Sequence, residues 1–297
     1  MPTERISSRY TDLDLWPTGD AVLAMLEGQF AAAAAVQSQA AGIARAADEA
    51  AARLGDPAGR IIYVGAGTSG RIAVQDGVEL GPTYGWGSER LAYLLAGGTD
   101  ALLSSVEGAE DDTAAGEEAM REAAPTPRDV VVGVAASGTT PYTVAAVRAA
   151  LVGGALTIGL ASNAGTPLLQ IVAHPIFLDT GAEVVAGSTR MKAGTAQKIA
   201  LNLFSTAVML RLGRVYNGLM INMLVSNDKL RRRAVEMICE VARVERTVAE
   251  VALEQADGDI KLASLIALGG TPKQSAASLS AAGGDLRIAI RLVKAEE

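Results

Sequence analysis

Two short stretches set serine and threonine hydroxyls on glycine turns directly after apolar runs: "GAGTSGR" at 65–71 and "ASGTTPY" at 136–142. Hydroxyl donors beside the free N–H groups of a helix start suit an anion such as a phosphoryl group. In the first stretch Gly65, Gly67 and Gly70 spell GxGxxG, the spacing of a dinucleotide loop. That reading also wants an acid about 20 residues further on. The next strand candidate instead ends near Asp100, roughly 30 residues beyond the turn. A tight structural corner, a dinucleotide loop and an anion- or sugar-binding loop therefore all stay open for Thr68 and Ser69. The second turn, with Ser137, Thr139 and Thr140 around Gly138, favours the last of these. Two such turns after parallel strands can converge on one crevice. No GxxxxGK[ST] run is present, which disfavours a triphosphate loop.

Proton transfer needs other groups. The sole histidine, His174 in "IVAHPIFLD", reads as a partly buried residue before a strand. Carboxylates are better candidates. Glu79 stands in "VELGPTYGW", where apolar and aromatic neighbours could raise a carboxyl pKa toward acid–base work. Glu107, Glu110, Asp111 and Asp112 cluster in "SVEGAEDD", which without further information reads as a solvated helix start. A third polar segment, 183–202, offers Ser188, Thr189, Arg190 and Lys192 for an anion or a partner surface. Arg231, Arg232 and Arg233 read as a solvated helix face.

The elements that must position these groups follow from the apolar pattern. Five short runs are strand candidates: 61–64, 91–96, 130–135, 155–161 and 175–179. Helix-compatible segments separate most of them, which describes a mainly parallel sheet covered on both faces. Alanine dominates 21–54 and predicts two helices or one interrupted helix before Gly55 and Pro57. Helix is also expected from Ser188 to about Leu212, and a long one from Asn227. The tail reads as three short helices separated by paired glycines, with Thr271 as N-cap and Pro272 at the first helical position. The organisation expected is a helical segment over 1–54, an α/β core over 55–225 and a helical region over 226–297.

The bulk properties exclude several classes. Across 297 residues the 26 basic and 33 acidic side chains give a formal charge of -7, no footprint for nucleic acid. Although 49% of residues are apolar, no stretch of about 20 reads as an unbroken membrane span. The first residues carry no apolar signal core. One cysteine, Cys239, provides neither a disulfide framework nor a thiolate cluster. A cytoplasmic enzyme is the simplest class.

Over nearly its whole length the chain resembles the N-acetylmuramic acid 6-phosphate etherases, a bacterial branch of the sugar isomerase (SIS) domain proteins. "YVGAGTSGR" at 63–71, "VEGAEDD" at 106–112, "ASGTTPY" at 136–142 and "AGSTRMKAGTAQK" at 186–198 carry the likeness, the last being the most specific. The resemblance implies a three-layer α-β-α sandwich with a five-stranded sheet and, at the tail, a small ubiquitin-associated-like module. It implies cleavage of the lactyl ether of a phosphorylated amino sugar in peptidoglycan recycling, and typically a homodimer. Its acid–base glutamate falls on Glu79, where relatives usually read Ser-Glu-Cys-Pro-Pro and this chain has Val78, Leu80 and Gly81 as neighbours. A second active-site glutamate falls on Glu110, and Asn222 stands where relatives commonly carry aspartate. In SIS proteins the turn after a parallel strand commonly grips phosphate, so 137–140 is the stronger phosphate candidate. Elimination and hydration require no metal or redox cofactor. An aldose–ketose phosphosugar isomerase or a non-catalytic phosphosugar sensor are the competing expectations. Glu79 lies nine residues past Gly70, roughly 13 Å along an unbroken helix, so the expectation for it is either the far end of the sugar or a crevice shared across a subunit boundary.

Overall fold

In the computed structural model, which describes residues 1–295, the chain forms two compact units. The first comprises residues 1–77 and 89–208, the second, within the described residues, 78–88 and 209–295. Helices α3 (Gly67–Tyr84) and α7 (Lys192–Arg211) each contribute to both. This partition differs from the expected divisions at 54/55 and 225/226.

The first unit is built on a sheet of β1 (Ile61–Gly65), β2 (Leu91–Leu95), β3 (Val130–Val134), β4 (Leu156–Ala161) and β5 (His174–Phe177). All pairings are parallel and the order is β2-β1-β3-β4-β5. The register sets Ile61 beside both Leu91 and Val130, and Val130 beside Leu156. The three central strands are buried at every residue, whereas the edge strands β2 and β5 are only partly so. Burial on two faces is why the central runs are apolar throughout rather than alternating. Side chains alternate between faces. Ile62, Val64 and Val131 pack with Met120 of α4 (Thr113–Ala123), Ala146 and Val147 of α5 (Pro141–Val152) and Leu168 of α6 (Pro167–Ile171). On the other face Tyr63 stacks on Tyr93, with centroids 6.0 Å apart, and donates its hydroxyl to buried Asp76 of α3 at 2.9 Å. Asn202 and Ser205 of α7 also donate to Asp76, at 2.7 and 3.2 Å. Burial pushes this carboxyl up, and those three donors and Lys198 offset only part of the rise.

The alanine-rich segment divides into α1 (Thr18–Ser38) and α2 (Ala40–Leu54). Among the described residues α1 alone is long and apolar enough to cross a membrane by length and composition, although Asp20 and Glu27 interrupt it, so it is not an unbroken apolar span. The run Ala31 to Ala35 raises its hydropathy without a large side chain. Helix α7 starts at Lys192 rather than Ser188, because the buried Glu183 carboxylate accepts from the N–H groups of Lys192 and Ala193 at 3.0 and 2.9 Å. A carboxylate on the first free amides of a helix fixes where it begins.

The second unit is helical. The long helix expected from Asn227 is interrupted: α8 (Asp228–Ala242) ends at Arg243, which takes a left-handed φ of 56°, and α9 (Arg246–Gln255) follows. That break lets Ala249 and Leu253 join the core of Val235 and Ile238. The tail forms α10 (Ile260–Ala267), α11 (Pro272–Ala281) and α12 (Leu286–Ala295). Thr271 caps α11 in a capping box with Gln274, and Pro272 opens the helix. Arg214 lies over the buried Trp86 ring at 4.9 Å and donates to the carbonyls of Tyr84 and Gly85. Lys261 donates to the Gly284 carbonyl at 2.6 Å, and burial together with Arg214 pulls its ammonium down to about 8.

Candidate active site

Strand β1 has β2 on one side and β3 on the other, so the chain reverses its direction of travel across the sheet between β1 and β3. The crevice at the carboxyl ends of strands at such a reversal is where open α/β sheets bind ligands. The two hydroxyl turns leave these two strands. After β1, Gly67 adopts a φ of +51° and opens α3, placing Thr68 and Ser69 in its first turn. After β3, Gly138 adopts a φ of +72°, and a Cβ there would lie 2.2 Å from Thr166 Oγ1. Only glycine satisfies both conditions. Ser137 Oγ accepts from the Thr139 amide at 3.2 Å and pairs with Thr140 Oγ1 at 3.2 Å. The N-cap residue Thr140 makes no side-chain cap on α5, and Thr139, Thr140 and Pro141 at the start of that helix border the crevice.

A cavity of about 340 Å³ occupies this position. Thr68 and Ser69 of the first turn and Ser137, Thr139 and Thr140 of the second line it together, with Thr189 and Glu110. Glu110 lies in a 3-10 turn, Ala109–Asp111, on the rim. Asp112, from the same acidic run, serves otherwise: it caps α4 by accepting from the Ala115 amide at 2.9 Å. A neighbouring cavity of about 320 Å³ shares Ala66, Gly67 and Glu110 with the first.

Other sequence candidates lie elsewhere. Ser188 precedes Thr189 but does not line the cavity, and Arg190 is exposed outside it. Lys192 is buried and its Nζ donates to the Thr180 carbonyl at 2.8 Å. Burial lowers its pKa, with Glu183 opposing. Its ammonium serves the loop before α7 rather than the cavity. Glu79 belongs to the second unit and is exposed, so the apolar enclosure expected from its neighbours is not formed. His174 pairs with Glu49 at 2.8 Å, a structural contact at the start of β5.

Two wall residues escaped the sequence reading. Asp111 was read only as part of a solvated acidic run, and Glu4 gave no signal at all. Glu4 reaches the cavity because the preceding Thr3 is fully buried, exchanging hydrogen bonds with Asn163 and accepting from the Gly187 amide at 3.0 Å. Asn163 in turn donates to the carbonyl of Ala136 at 3.0 Å. Contacts between residues 160 apart leave no local pattern to read.

The parallel five-stranded sheet with paired polar turns at its reversal point is the architecture of the SIS domain. The sequence profile of the glucokinase regulatory protein N-terminal SIS domain matches residues 42–151. More specific likeness spans nearly the full chain. An N-acetylmuramic acid 6-phosphate etherase of Deinococcus radiodurans is 45% identical, covering 96% of this chain and 93% of that protein. Etherases of Rubrobacter xylanophilus and Cutibacterium acnes are 44% and 42% identical, covering 95% and 97% of this chain and 94% and 95% of those proteins. The chain belongs to the N-acetylmuramic acid 6-phosphate etherase family.

Proposed function

We propose that this protein cleaves the C3 lactyl ether of N-acetylmuramic acid 6-phosphate, giving N-acetylglucosamine 6-phosphate and D-lactate in the recycling of peptidoglycan amino sugars. The observation that carries the reading is the cavity itself: hydroxyls from two strand-to-helix turns on its floor, and the Glu110 carboxylate on its rim. The phosphate sits against Ser137, Thr139 and Thr140 at the start of α5, with Thr68 and Ser69 at the start of α3 completing the grip. Helix N-termini and hydroxyls supply the donors, a neutral set that holds a phosphate without an ion pair.

Ring opening exposes a C1 aldehyde, which acidifies the C2 proton. Glu110 removes that proton, the C3–O bond breaks, and the departing lactate oxygen takes a proton from an acid. Water then adds across the conjugated C2–C3 double bond, regenerating a hydroxyl at C3. We assign the leaving-group proton to Glu79 on the family correspondence, and the C2 proton to Glu110 because it borders the hydroxyl cavity. Ser188, Arg190 and Lys192 shape the loop that presents Thr189 rather than touching phosphate.

Two further assignments accompany this reading. Helix α1 exposes Val22, Leu23, Leu26 and Phe30, at 51%, 64%, 50% and 68%, within one 100° arc of its surface. Such a face supports a homodimer in which a second copy covers it. A single cysteine suits a reducing compartment, and we place the chain in the cytoplasm.

The test is incubation with N-acetylmuramic acid 6-phosphate and assay of D-lactate, with C2 deuterium exchange followed separately. Glu110→Gln is expected to lose exchange and lactate release together, by about 100-fold or more. Glu79→Gln is expected to retain exchange while losing lactate release. Binding without lactate release by the unaltered protein would indicate a sensor, and turnover of another sugar phosphate an isomerase.

A further inference from the structure

Glu110 separates two cavities, and the second has a different chemistry from the first. No lysine or arginine lines the hydroxyl cavity among the described residues. The adjoining cavity is bordered by Arg71, its one cation, with Ser105 nearby and Ala96, Ala101 and Val106 supplying apolar wall. We propose that this second cavity is a subsite for a short carboxylate-bearing substituent of the sugar, and that Arg71 recognises the carboxylate.

The proposal rests on the etherase reading and extends it to how the substrate is told apart from other sugar phosphates. A lactyl-bearing sugar phosphate carries two anions, a phosphate at C6 and a carboxylate on the C3 substituent. The hydroxyl cavity offers one set of anion donors, and Arg71 stands one helical turn beyond Thr68 on the same helix. The guanidinium is held in place. Its Nε donates to the Ala101 carbonyl at 2.8 Å and its Nη2 to the Ser104 carbonyl at 2.9 Å. Those two bonds use two of the five guanidinium N–H donors, so the group is oriented and still able to donate.

Charge and shape then set selectivity. Glu107 and Glu110 also border this cavity. Two carboxylates around one guanidinium disfavour a phosphate dianion more than a monoanionic carboxylate. The small apolar wall suits a methyl group, and about 320 Å³ holds a three-carbon acid with room for water. A substrate occupying both cavities must pass Glu110, which places that carboxylate next to the bond between sugar and substituent. Selection of a lactyl-bearing substrate is then a property of the wall beside the phosphate site.

The experiment compares the full chain with Arg71→Met and Arg71→Lys. Lactate release gives kcat and KM for N-acetylmuramic acid 6-phosphate, and calorimetry with each Arg71 form carrying Glu79→Gln, which blocks lactate release, gives Kd for that compound and for N-acetylglucosamine 6-phosphate, which lacks the lactyl group. Arg71→Met is expected to weaken the lactyl-bearing sugar by about 10- to 100-fold, the loss of one charged hydrogen-bonded pair. Its Kd for the lactyl-free sugar should change by less than about 2-fold, with Arg71→Lys intermediate for the first and unchanged for the second. Parallel weakening of both sugars would overturn the proposal, since it would mean that Arg71 only holds the 101–104 loop. No change in either would overturn it too. Failure of the unaltered protein to release lactate would remove the etherase reading by itself, and the Kd comparison would still decide the subsite.

Discussion

The sharpest structural prediction concerns Gly65, the last residue of β1. A methyl group there would lie 2.8 Å from the Gly70 Cα, 2.9 Å from the Gly70 amide nitrogen and 3.1 Å from the Val134 carbonyl oxygen. Every one of these is backbone, so no side-chain rotation relieves the contact. The closest falls about 0.7 Å short of an optimal carbon–carbon separation. Relief requires β1 and the first turn of α3 to separate, which carries Thr68 and Ser69 away from Ser137 and Thr140. Overpacking of this kind costs about 1–3 kcal/mol, against which alanine recovers about 0.4–1 kcal/mol by restricting the unfolded chain. Gly65→Ala should therefore lower the melting temperature by several degrees, at about 2–4 °C for each kcal/mol. Its effect on turnover should be larger, because a displacement near 1 Å at a binding residue costs about 100-fold in rate. Circular dichroism melts and kcat/KM for lactate release measure the two effects. Gly19→Ala is the matched control, since a Cβ there meets nothing within 4 Å and the site is helical. It should be neutral or stabilising. A Gly65→Ala protein whose kcat/KM stays within about 3-fold of the parent would refute the view that this close backbone approach sets the cavity.

Two buried carboxylates give opposite pH signatures. Burial alone would push Asp129 up, but hydrogen bonds from the Arg60 side chain and the Thr126 and Arg60 amides outweigh it and hold the carboxyl below its usual range. Its contribution is present above the unfolded pKa and lost as pH falls from about 5 downward. Asp129→Asn, which turns an amide toward these donors, should cost about 2–4 kcal/mol at neutral pH in urea titrations, with the deficit shrinking toward pH 3. Asp76 behaves in reverse, because burial holds its carboxyl above the usual range. Its charged form costs stability as pH rises from about 4 through the folded pKa. Asp76→Asn keeps the acceptor for Asn202 and Ser205, so its stability relative to the parent should improve as pH rises over that window. Asp76→Ala should instead cost about 2–4 kcal/mol by orphaning Tyr63, Asn202 and Ser205. A flat difference between Asp76→Asn and the parent from pH 4 to 8 would contradict the assignment.

What the sequence determined by itself was whatever depends on local pattern. Five apolar runs became five parallel strands within a residue or two of their expected limits, the three central ones most plainly because burial on both faces leaves no polar alternation to confuse. Thr271 and Pro272 announced the start of α11, since capping is decided within four residues. Gly67 and Gly138 marked the turns that need left-handed backbone. Tertiary structure alone decided which polar groups share a cavity. Thr189 reaches it while Lys192, three residues on, is buried against the Thr180 carbonyl. Glu4 joins it through Thr3 and Asn163, far apart in the chain. Arg71 was visible in the sequence as one more basic residue, but its fixed guanidinium depends on carbonyls about 30 positions away. Propensity and patterning act over a helical turn or a strand pair, whereas a binding cavity is assembled by chain crossings whose partners no local rule records.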